Sequence, residues 1–525
     1  MVEVNAEKCV FIFFNRKQSP YQVPSIKINQ DVLEVVESTR YLGFILDKKL
    51  RWKLHVESRC LAASRIINGF RRYLRLTWGL STANLKLIYK TIIIPTLLYG
   101  CSVWAGALRY KWCTRKLRSA QRGVTKHITR AFKTSSTLSL LVIANVLPAE
   151  LRAIELTFSR YLCLKSNPFS VSAYALIKPL LLSLPNSDID LANARWHNDK
   201  VPPWSSQKND HFALSVPTQC QYYALLIYTD GSKFLDEVGA AAFFINELNT
   251  SSLTWKLPNY VTILQAELFA IFSALKFALQ TTHVHSKIII RCDSKTAVNQ
   301  LVNESIKISK QAYNIRNLIV EQRLNVAFEW VKSHSSCEEN NIADRLAKQA
   351  AKSTSPVDTN AIPYCLLEAK NLIKNSLWAK WDDEWKCSKT SATTREFFPS
   401  SLHATCLNKL FVPHEITQII SGHSLLNSYL AKTNSSISQN CRCGAPIEDT
   451  HHFIFTCPLF EYLRLNLKQS ITQDNIEYPC PLAAFSSSQD LWNSFQNFVI
   501  KTKRLGMSNH DTITIPHNTS ASLIG

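Results

Sequence analysis

The sequence predicts a multidomain chain: an α/β sheet domain at its centre, a mainly helical basic region before it and a helical tail after it. Three observations lead there. At 525 residues the chain exceeds the roughly 100–200 residues of one ordinary domain. Between two stretches rich in Pro, Ser, Asn and Asp, short β-branched runs alternate with helical periodicity, as in an α/β unit. Outside those stretches the periodicity is predominantly helical. The boundaries fall at 1–184, a linker at 185–220, the central domain at 221–352, a second linker at 353–363, and the tail at 364–525.

In the first region, Cys9–Phe14, Ser25–Ile28 and Tyr41–Leu46 read as short strands. Leu54–Leu76, Thr82–Ile94, Arg109–Lys133, Pro148–Lys165 and Ser172–Leu184 read as helices. The net charge of +21 calls for an anionic partner, and most of it is concentrated here. Arg51–Arg130 carries 17 Lys and Arg against one acid, Glu57. Interleaved with them are Trp52, Tyr73, Trp78, Tyr89, Trp104, Tyr110 and Trp112, a mixture suited to a nucleic-acid backbone, with counterion release as driving force. The alternative is a solvated basic face over an aromatic core.

A hydrophobic share of 46% builds cores and excludes a collagenous or wholly disordered chain. The apolar run Val10–Phe14 is too short for a signal peptide or a membrane span, and Thr91–Tyr99 is interrupted by Pro95. Fifteen cysteines are scattered without a signal peptide, so reduced thiols are expected. The expectation is an intracellular protein of nucleus or cytoplasm, not secreted, with no membrane partner.

In the central domain, Tyr223–Thr229, Gly239–Ile245, Leu253–Leu257, Lys287–Arg291 and Val326–Val331 read as strands. Leu264–Leu279, Lys295–Val302, Lys310–Gln322 and Asn341–Lys352 read as helices. Two strands run directly into an aspartate: LLIYT into Asp230 and KIIIRC into Asp293. In an open α/β sheet the functional crevice lies beyond the carboxyl ends of neighbouring strands, where the two would converge. Glu267 sits inside the apolar helix LQAELFAIF, a poor place for a lone carboxylate. Asp344 opens the last helix, after a loop containing His334. Each has a plainer reading: a turn residue for Asp230, helix caps for Asp293 and Asp344, an ion-pair partner for Glu267, a surface loop residue for His334. Four carboxylates on one sheet, however, repel one another unless divalent cations neutralise them, and hard oxygen donors select Mg2+ or Mn2+.

TDGS (Thr229–Ser232), the AEL around Glu267, CDS (Cys292–Ser294), WVKSHS (Trp330–Ser335) and NIADRLAK (Asn341–Lys348) resemble the ordered motifs of type 1 ribonuclease H. The resemblance implies a ribonuclease H-like fold, a mixed five-stranded sheet with helices, that hydrolyses the RNA strand of RNA–DNA hybrids. It also implies that Asp230, Glu267, Asp293 and Asp344 hold two Mg2+ ions and that His334, on a mobile loop, assists proton transfer or product release. Lys332-Ser333 stand where the family often has Pro-Gly, which touches loop geometry and not the carboxylates.

Two further segments carry resemblances. KCVFIFFNRK, YLGFILDKKLRW and LLYGCSVW resemble the region after the catalytic palm strand of non-LTR retrotransposon reverse transcriptases, leading into the thumb. The polymerase motifs with paired aspartates are not in this sequence and would lie upstream of Met1. Asp382-Asp383, in WAKWDDEW, read as an exposed helix. The chain thus looks like the C-terminal part of such a polyprotein, and DNA synthesis is not expected. In the tail, Cys441, Cys443, His452 and Cys457 give C-x-C-x8-H-x4-C, four soft ligands able to enclose one tetrahedral Zn2+. His451 could replace His452, His423 is an outside candidate, and unrelated buried thiols are the alternative. The segment resembles the zinc-knuckle-like tail that follows the ribonuclease domain in several such elements. Two other classes of protein compete: a catalytically decayed nucleic-acid-binding remnant, and an assembly protein that keeps the fold for interaction alone. The oligomeric state is open.

Overall fold

The computed structural model describes residues 9–14, 25–28, 31–74, 79–165, 196–197, 224–234, 237–246, 249–281, 287–302, 309–332, 337–354, 362, 364–404 and 412–506, and every statement below concerns these. The chain forms two compact units, one of Met1–Thr157 with Leu377–Gly525, the other of Phe158–Ser376.

The second unit is built on β1 (Ala224–Phe234), β2 (Glu237–Asn246), β3 (Asn249–Leu257), α1 (Ile263–Thr281), β4 (Lys287–Cys292), α2 (Lys295–Val302), α3 (Lys310–Glu321), β5 (Val326–Trp330) and α4 (Glu338–Lys352). The five strands form one mixed sheet in the order β3-β2-β1-β4-β5. β1, β2 and β3 are an antiparallel meander, while β4 runs parallel to both β1 and β5. Strand alternation makes the core: Leu225 and Ile227 of β1 with Ile288, Ile290 and Cys292 of β4 pack against Leu268, Ile271 and Leu275 of α1 and Ile315 of α3. By length and composition α1 is apolar enough to cross a membrane, but these apolar side chains are spent on the core of the sheet.

Two glycines set how closely helices approach the sheet. A Cβ on Gly231 would lie 2.6 Å from the Glu267 backbone nitrogen, and one on Gly239 would lie 2.4 Å from the Ala347 carbonyl oxygen of α4. Glycine at both positions lets α1 and α4 close onto β1 and β2 without a side chain between.

Two expectations for this unit need correction. β1 does not end before Asp230 but runs on to Phe234, because β2 continues the antiparallel ladder opposite it, Asp230 facing Ala241. Asp344 does not open α4: the helix begins at Glu338, so Asp344 is neither a cap nor within the first turn. From the first linker, Trp196 and His197 pair in parallel with Tyr364 and Cys365, and Ile362 of the second linker is buried in a core with Val238, Val261 and Ala270.

In the first unit, Tyr41–Leu46 is not one strand but the turn of a hairpin, Ser38–Tyr41 against Phe44–Asp47. Leu42 and Gly43 both take positive φ, 47° and 81°, the geometry of a tight hairpin turn. Helices follow at Lys53–Gly69, Thr82–Ile88 continuing through a wide turn to Leu97, Lys111–Ile128, Thr137–Ala144 and Ala149–Lys165, the last belonging to this unit as far as Thr157. The tail adds helices at Leu366–Lys386, in this unit from Leu377 onward, Ala392–Phe397, His414–Ser421, Asn427–Thr433, Glu461–Gln473 and Gln489–Lys501. The predicted helix Ser172–Leu184 lies outside the described residues.

The first and last parts of the chain share this unit through specific bonds. Arg118 binds both carboxylate oxygens of Glu384, at 2.6 and 2.8 Å, and also Glu150. Thr417 donates to the Thr129 carbonyl at 2.7 Å, His414 Nδ1 lies 2.6 Å from the Arg130 carbonyl, and Ser139 and Thr394 share a hydrogen bond. WAKWDDEW is helical but buries one face: Trp381 and Trp385 are fully buried, and Asp382 accepts from Ser400 and the Ser401 hydroxyl. Only Asp383 of the aspartate pair faces solvent.

Candidate functional site

The parallel ladder between β1 and β4 pairs Thr229 with Cys292, so Asp230 and Asp293, each one residue further on, stand side by side at the carboxyl end of β4. The turn after β4 is pinned from β5: the Trp330 indole donates to the Asp293 carbonyl at 2.9 Å and the Val331 N–H to the Cys292 carbonyl at 3.1 Å. Ser294 supplies a side-chain cap to α2, accepting from Ala297 N. Glu267 enters from the second turn of α1, buried at 3% exposure, and accepts a hydrogen bond from the Cys292 thiol at 3.5 Å. One ligand atom from each of Glu267, Cys292 and Asp293 lies within 4.8 Å of the others.

Asp230 and Asp344 join this group electrostatically. Burial first, then the charges of Asp293 and Asp344, push Asp230 up to about 7. Burial, then Asp230 and Asp293, hold Glu267 well above the usual carboxylate range. Opposing them are the Gly231 N–H, which favours the ionised form of both acids, and Lys348, which acts on Asp230 while binding Asp344 at 2.7 Å. The ion-pair reading of Glu267 fails, since the charges acting most strongly on it are acidic. Sequence reasoning missed Cys292 and Lys348 as members of the group. Both left a signal: Cys292 continues the buried alternation of Ile288 and Ile290, and Lys348 is four residues beyond Asp344 on one helix. His334 lies outside the described residues.

The Cys/His group in the tail is also assembled. Ligand atoms of Cys441, Cys443, His452 and Cys457 all lie within 4.8 Å of one another. Cys443 Sγ is 3.3 Å from His452 Nε2, and Cys441 Sγ is 3.7 Å from Cys457 Sγ. His452 Nδ1 lies 3.1 Å from the Thr456 hydroxyl oxygen, which can accept an Nδ1–H and so leave the Nε2 lone pair directed at the thiols. His451 turns away to Glu396, 2.8 Å distant, and His423 contacts Thr134 and Tyr429. Arg464, fully buried, donates to the carbonyls of Cys457 and Ile454, both at 2.7 Å, and so fastens the backbone that carries Cys457.

In the basic region the aromatic residues divide. Tyr89 and Trp104 are core residues, at 4% and 0% exposure, so for these two the aromatic-core alternative holds. Tyr73 and Tyr110 are exposed, under the guanidinium groups of Arg72 and Arg109, and Tyr110 stacks on Trp112. Trp78 lies outside the described residues.

Residues 223–352 match the RNase H family model. The RNA-directed DNA polymerase from mobile element jockey of Drosophila melanogaster is 31% identical over 138 residues, 25% of this chain and 14% of that protein. A putative 115 kDa protein in type-1 retrotransposable element R1DM of Drosophila melanogaster is 27% identical over 132 residues, 25% of this chain and 13% of that protein. A Pol polyprotein from a type-1 retrotransposable element R1 of Nasonia vitripennis is 27% identical over 120 residues, 23% of this chain and 36% of that protein. The chain thus spans between 13% and 36% of the length of these curated relatives. Among solved structures, an RNase H1 isolated from compost by a metagenomic approach is 23% identical, covering 25% of this chain and 96% of its own with a TM-score of 0.22. Residues 223–352 are an RNase H domain, and the chain that carries it is related to the polyproteins of R1-type retrotransposable elements and the jockey mobile element.

Proposed function

We propose that this domain hydrolyses the RNA strand of an RNA–DNA hybrid with divalent cations, within a retrotransposon-derived protein. The observation that carries the reading is the gathering of Asp230, Glu267, Asp293 and Asp344 about the β1–β4 pair of a domain matching the RNase H family. The donor set fits hard cations. Beyond burial, Asp293 and Asp344 push Asp230 up and Asp230 and Asp293 push Glu267 up, Lys348 partly offsets this at Asp230, and Mg2+ or Mn2+ takes such all-oxygen donors. Asp230, Glu267, Asp293 and Asp344 would hold two ions, which when bound supply an activated water on one side of a phosphodiester and stabilise the leaving oxygen on the other. The chain's own groups fix the donors: the Gly231 N–H favours ionised Asp230 and Glu267, Lys348 holds Asp344, and Trp330 pins the Asp293 turn. His334 is assigned to proton transfer or product release, and contacts to the 2′-hydroxyl would select RNA.

The reading extends to both ends of the chain. Cys441, Cys443, His452 and Cys457, whose ligand atoms lie within 4.8 Å of one another, would hold a structural Zn2+, and the Arg51–Arg130 block grips nucleic-acid phosphates. The competing reading, a decayed binding remnant, is met by the presence of all four carboxylates. The test is incubation of the purified chain and Mg2+ with labelled RNA–DNA hybrid, single-stranded RNA and duplex RNA. Cleavage of the RNA strand in the hybrid alone supports the proposal; binding without cleavage supports the remnant.

A further inference from the structure

The carboxylate group holds a member that the two-ion chemistry does not use. Cys292 is fully buried, its thiol lies 3.5 Å from Glu267 Oε2, and its Sγ lies within 4.8 Å of a ligand oxygen of both Glu267 and Asp293. A second buried polar group stands beside it. Thr229 pairs with Cys292 in the parallel ladder and shares its face of the sheet by strand alternation, opposite to Asp230. Its hydroxyl is fully buried and has no hydrogen-bond partner among the described residues. A buried polar atom without a partner is costly, so this end of β1 and β4 has donor capacity that the protein's own groups leave unused.

We propose that Glu267, Cys292 and Asp293 make a mixed thiolate–carboxylate site that takes a thiophilic divalent cation, Zn2+ or Cd2+, in competition with Mg2+. The proposal rests on the reading of Glu267 and Asp293 as metal ligands. One sulfur and two carboxylate oxygens, all within 4.8 Å, can converge on a single ion with small side-chain adjustments, since Zn–S and Zn–O bonds are about 2.3 and 2.0–2.2 Å. The thiol releases its proton to solvent as the ion binds. Mg2+ gains nothing from sulfur, whereas soft cations favour it, so Cys292 biases this end of the site away from Mg2+. Because Glu267 and Asp293 serve both kinds of ion, occupancy by the soft cation excludes Mg2+ from them.

The test is a Cd2+ titration of the reduced full-length chain, read by thiolate-to-cadmium charge-transfer absorption. The tail thiolates contribute equally to every variant, so the difference between wild type and Cys292→Ser isolates this site. Wild type should show an absorption increment, reversed by excess Mg2+, that Cys292→Ser lacks and that Asp293→Asn weakens by more than about tenfold, the loss that even an outer partner of a metal site causes. Superimposable wild-type and Cys292→Ser titrations would overturn the proposal, as would an increment that neither Mg2+ nor Asp293→Asn affects. Should Cys292→Ser not fold, Cys292→Ala serves the same comparison, and Asp293→Asn reads the carboxylate side independently. A chain that shows the increment but cleaves no hybrid keeps this site and loses the nuclease; cleavage without the increment does the reverse.

Discussion

Gly231→Ala should destabilise the RNase H domain and pull its carboxylates apart. The added methyl would sit 2.6 Å from the Glu267 nitrogen, 2.9 Å from the Ala266 carbonyl carbon and 3.0 Å from the Ala266 Cβ, against about 3.5–4.0 Å for an ordinary carbon contact. Two of those three atoms are backbone of α1, so no flexible side chain can yield, and the helix must back away by roughly 1 Å. Overpacking of this kind costs about 1–3 kcal/mol, more than the 0.4–1 kcal/mol that Gly→Ala recovers from the unfolded chain. The retreat also carries Glu267 away from Asp230 and Asp293, so Mg2+ should bind more weakly. Gly123→Ala provides the opposite case. It lies inside the helix Lys111–Ile128, where the new methyl meets only Ile67 Cδ1 at 3.6 Å, and helix propensity predicts a gain of about 0.5–1 kcal/mol. Urea denaturation followed by circular dichroism, with the two units resolved as separate transitions where they unfold separately, measures both. A Gly231→Ala domain as stable as wild type, with unchanged Mg2+ affinity, would refute the close-approach account.

Three further outcomes follow from the geometry. His127 is pushed down to about 4 by burial, then by Lys126 and Arg71; its neutral form is favoured in the fold, so its contribution is complete above about pH 6.5 and is lost as pH falls towards 4. Screened at a partly exposed position, the loss is about 1–2 kcal/mol, and His127→Gln should flatten that part of the stability–pH curve; an unchanged curve would count against it. His452→Ala should release zinc from the full-length chain on metal analysis, whereas His451→Ala, which loses the contacts with Glu396 and Phe455, should retain it, and the reverse result would reassign the ligand. Arg464→Met should remove the arginine donor from the Ile454 carbonyl and leave the Cys457 carbonyl only the Phe460 N–H, costing about 1–3 kcal/mol and loosening zinc retention; wild-type stability and zinc retention would show that the arginine is dispensable.

What was legible in the sequence followed from how locally each feature is determined. That Asp230, Glu267, Asp293 and Asp344 come near one another could be expected because they stand beside or within strands and helices whose periodicity is itself local. Their exact settings could not: β1 runs past Asp230 because β2 lies opposite it, a tertiary fact. The Leu42-Gly43 turn hid inside YLGFIL because its flanks keep strand alternation across it. Thr137–Ala144 was missed because it is almost wholly buried, and a helix covered on all sides shows no 3.6-residue stripe. Trp381, Asp382 and Trp385 read as exposed because a WDDEW string gives no hint of the Ser400–Ser401 segment that receives the aspartate. The sharing of one unit by residues 1–157 and 377–525 was invisible for the same reason, since Arg118 and Glu384 are far apart in sequence and joined only by the fold.

The most direct test of the central claim is single-turnover cleavage of an RNA–DNA hybrid by the full-length chain in Mg2+, beside Asp230→Asn of matched circular dichroism. Wild type should cut the RNA strand and lose that activity without divalent cation, while Asp230→Asn, stripped of the charge at the centre of the carboxylate group, should bind hybrid but leave it intact. Equal cleavage by the two proteins would contradict the assignment of the carboxylates, and no cleavage by wild type under any divalent cation would contradict the nuclease itself.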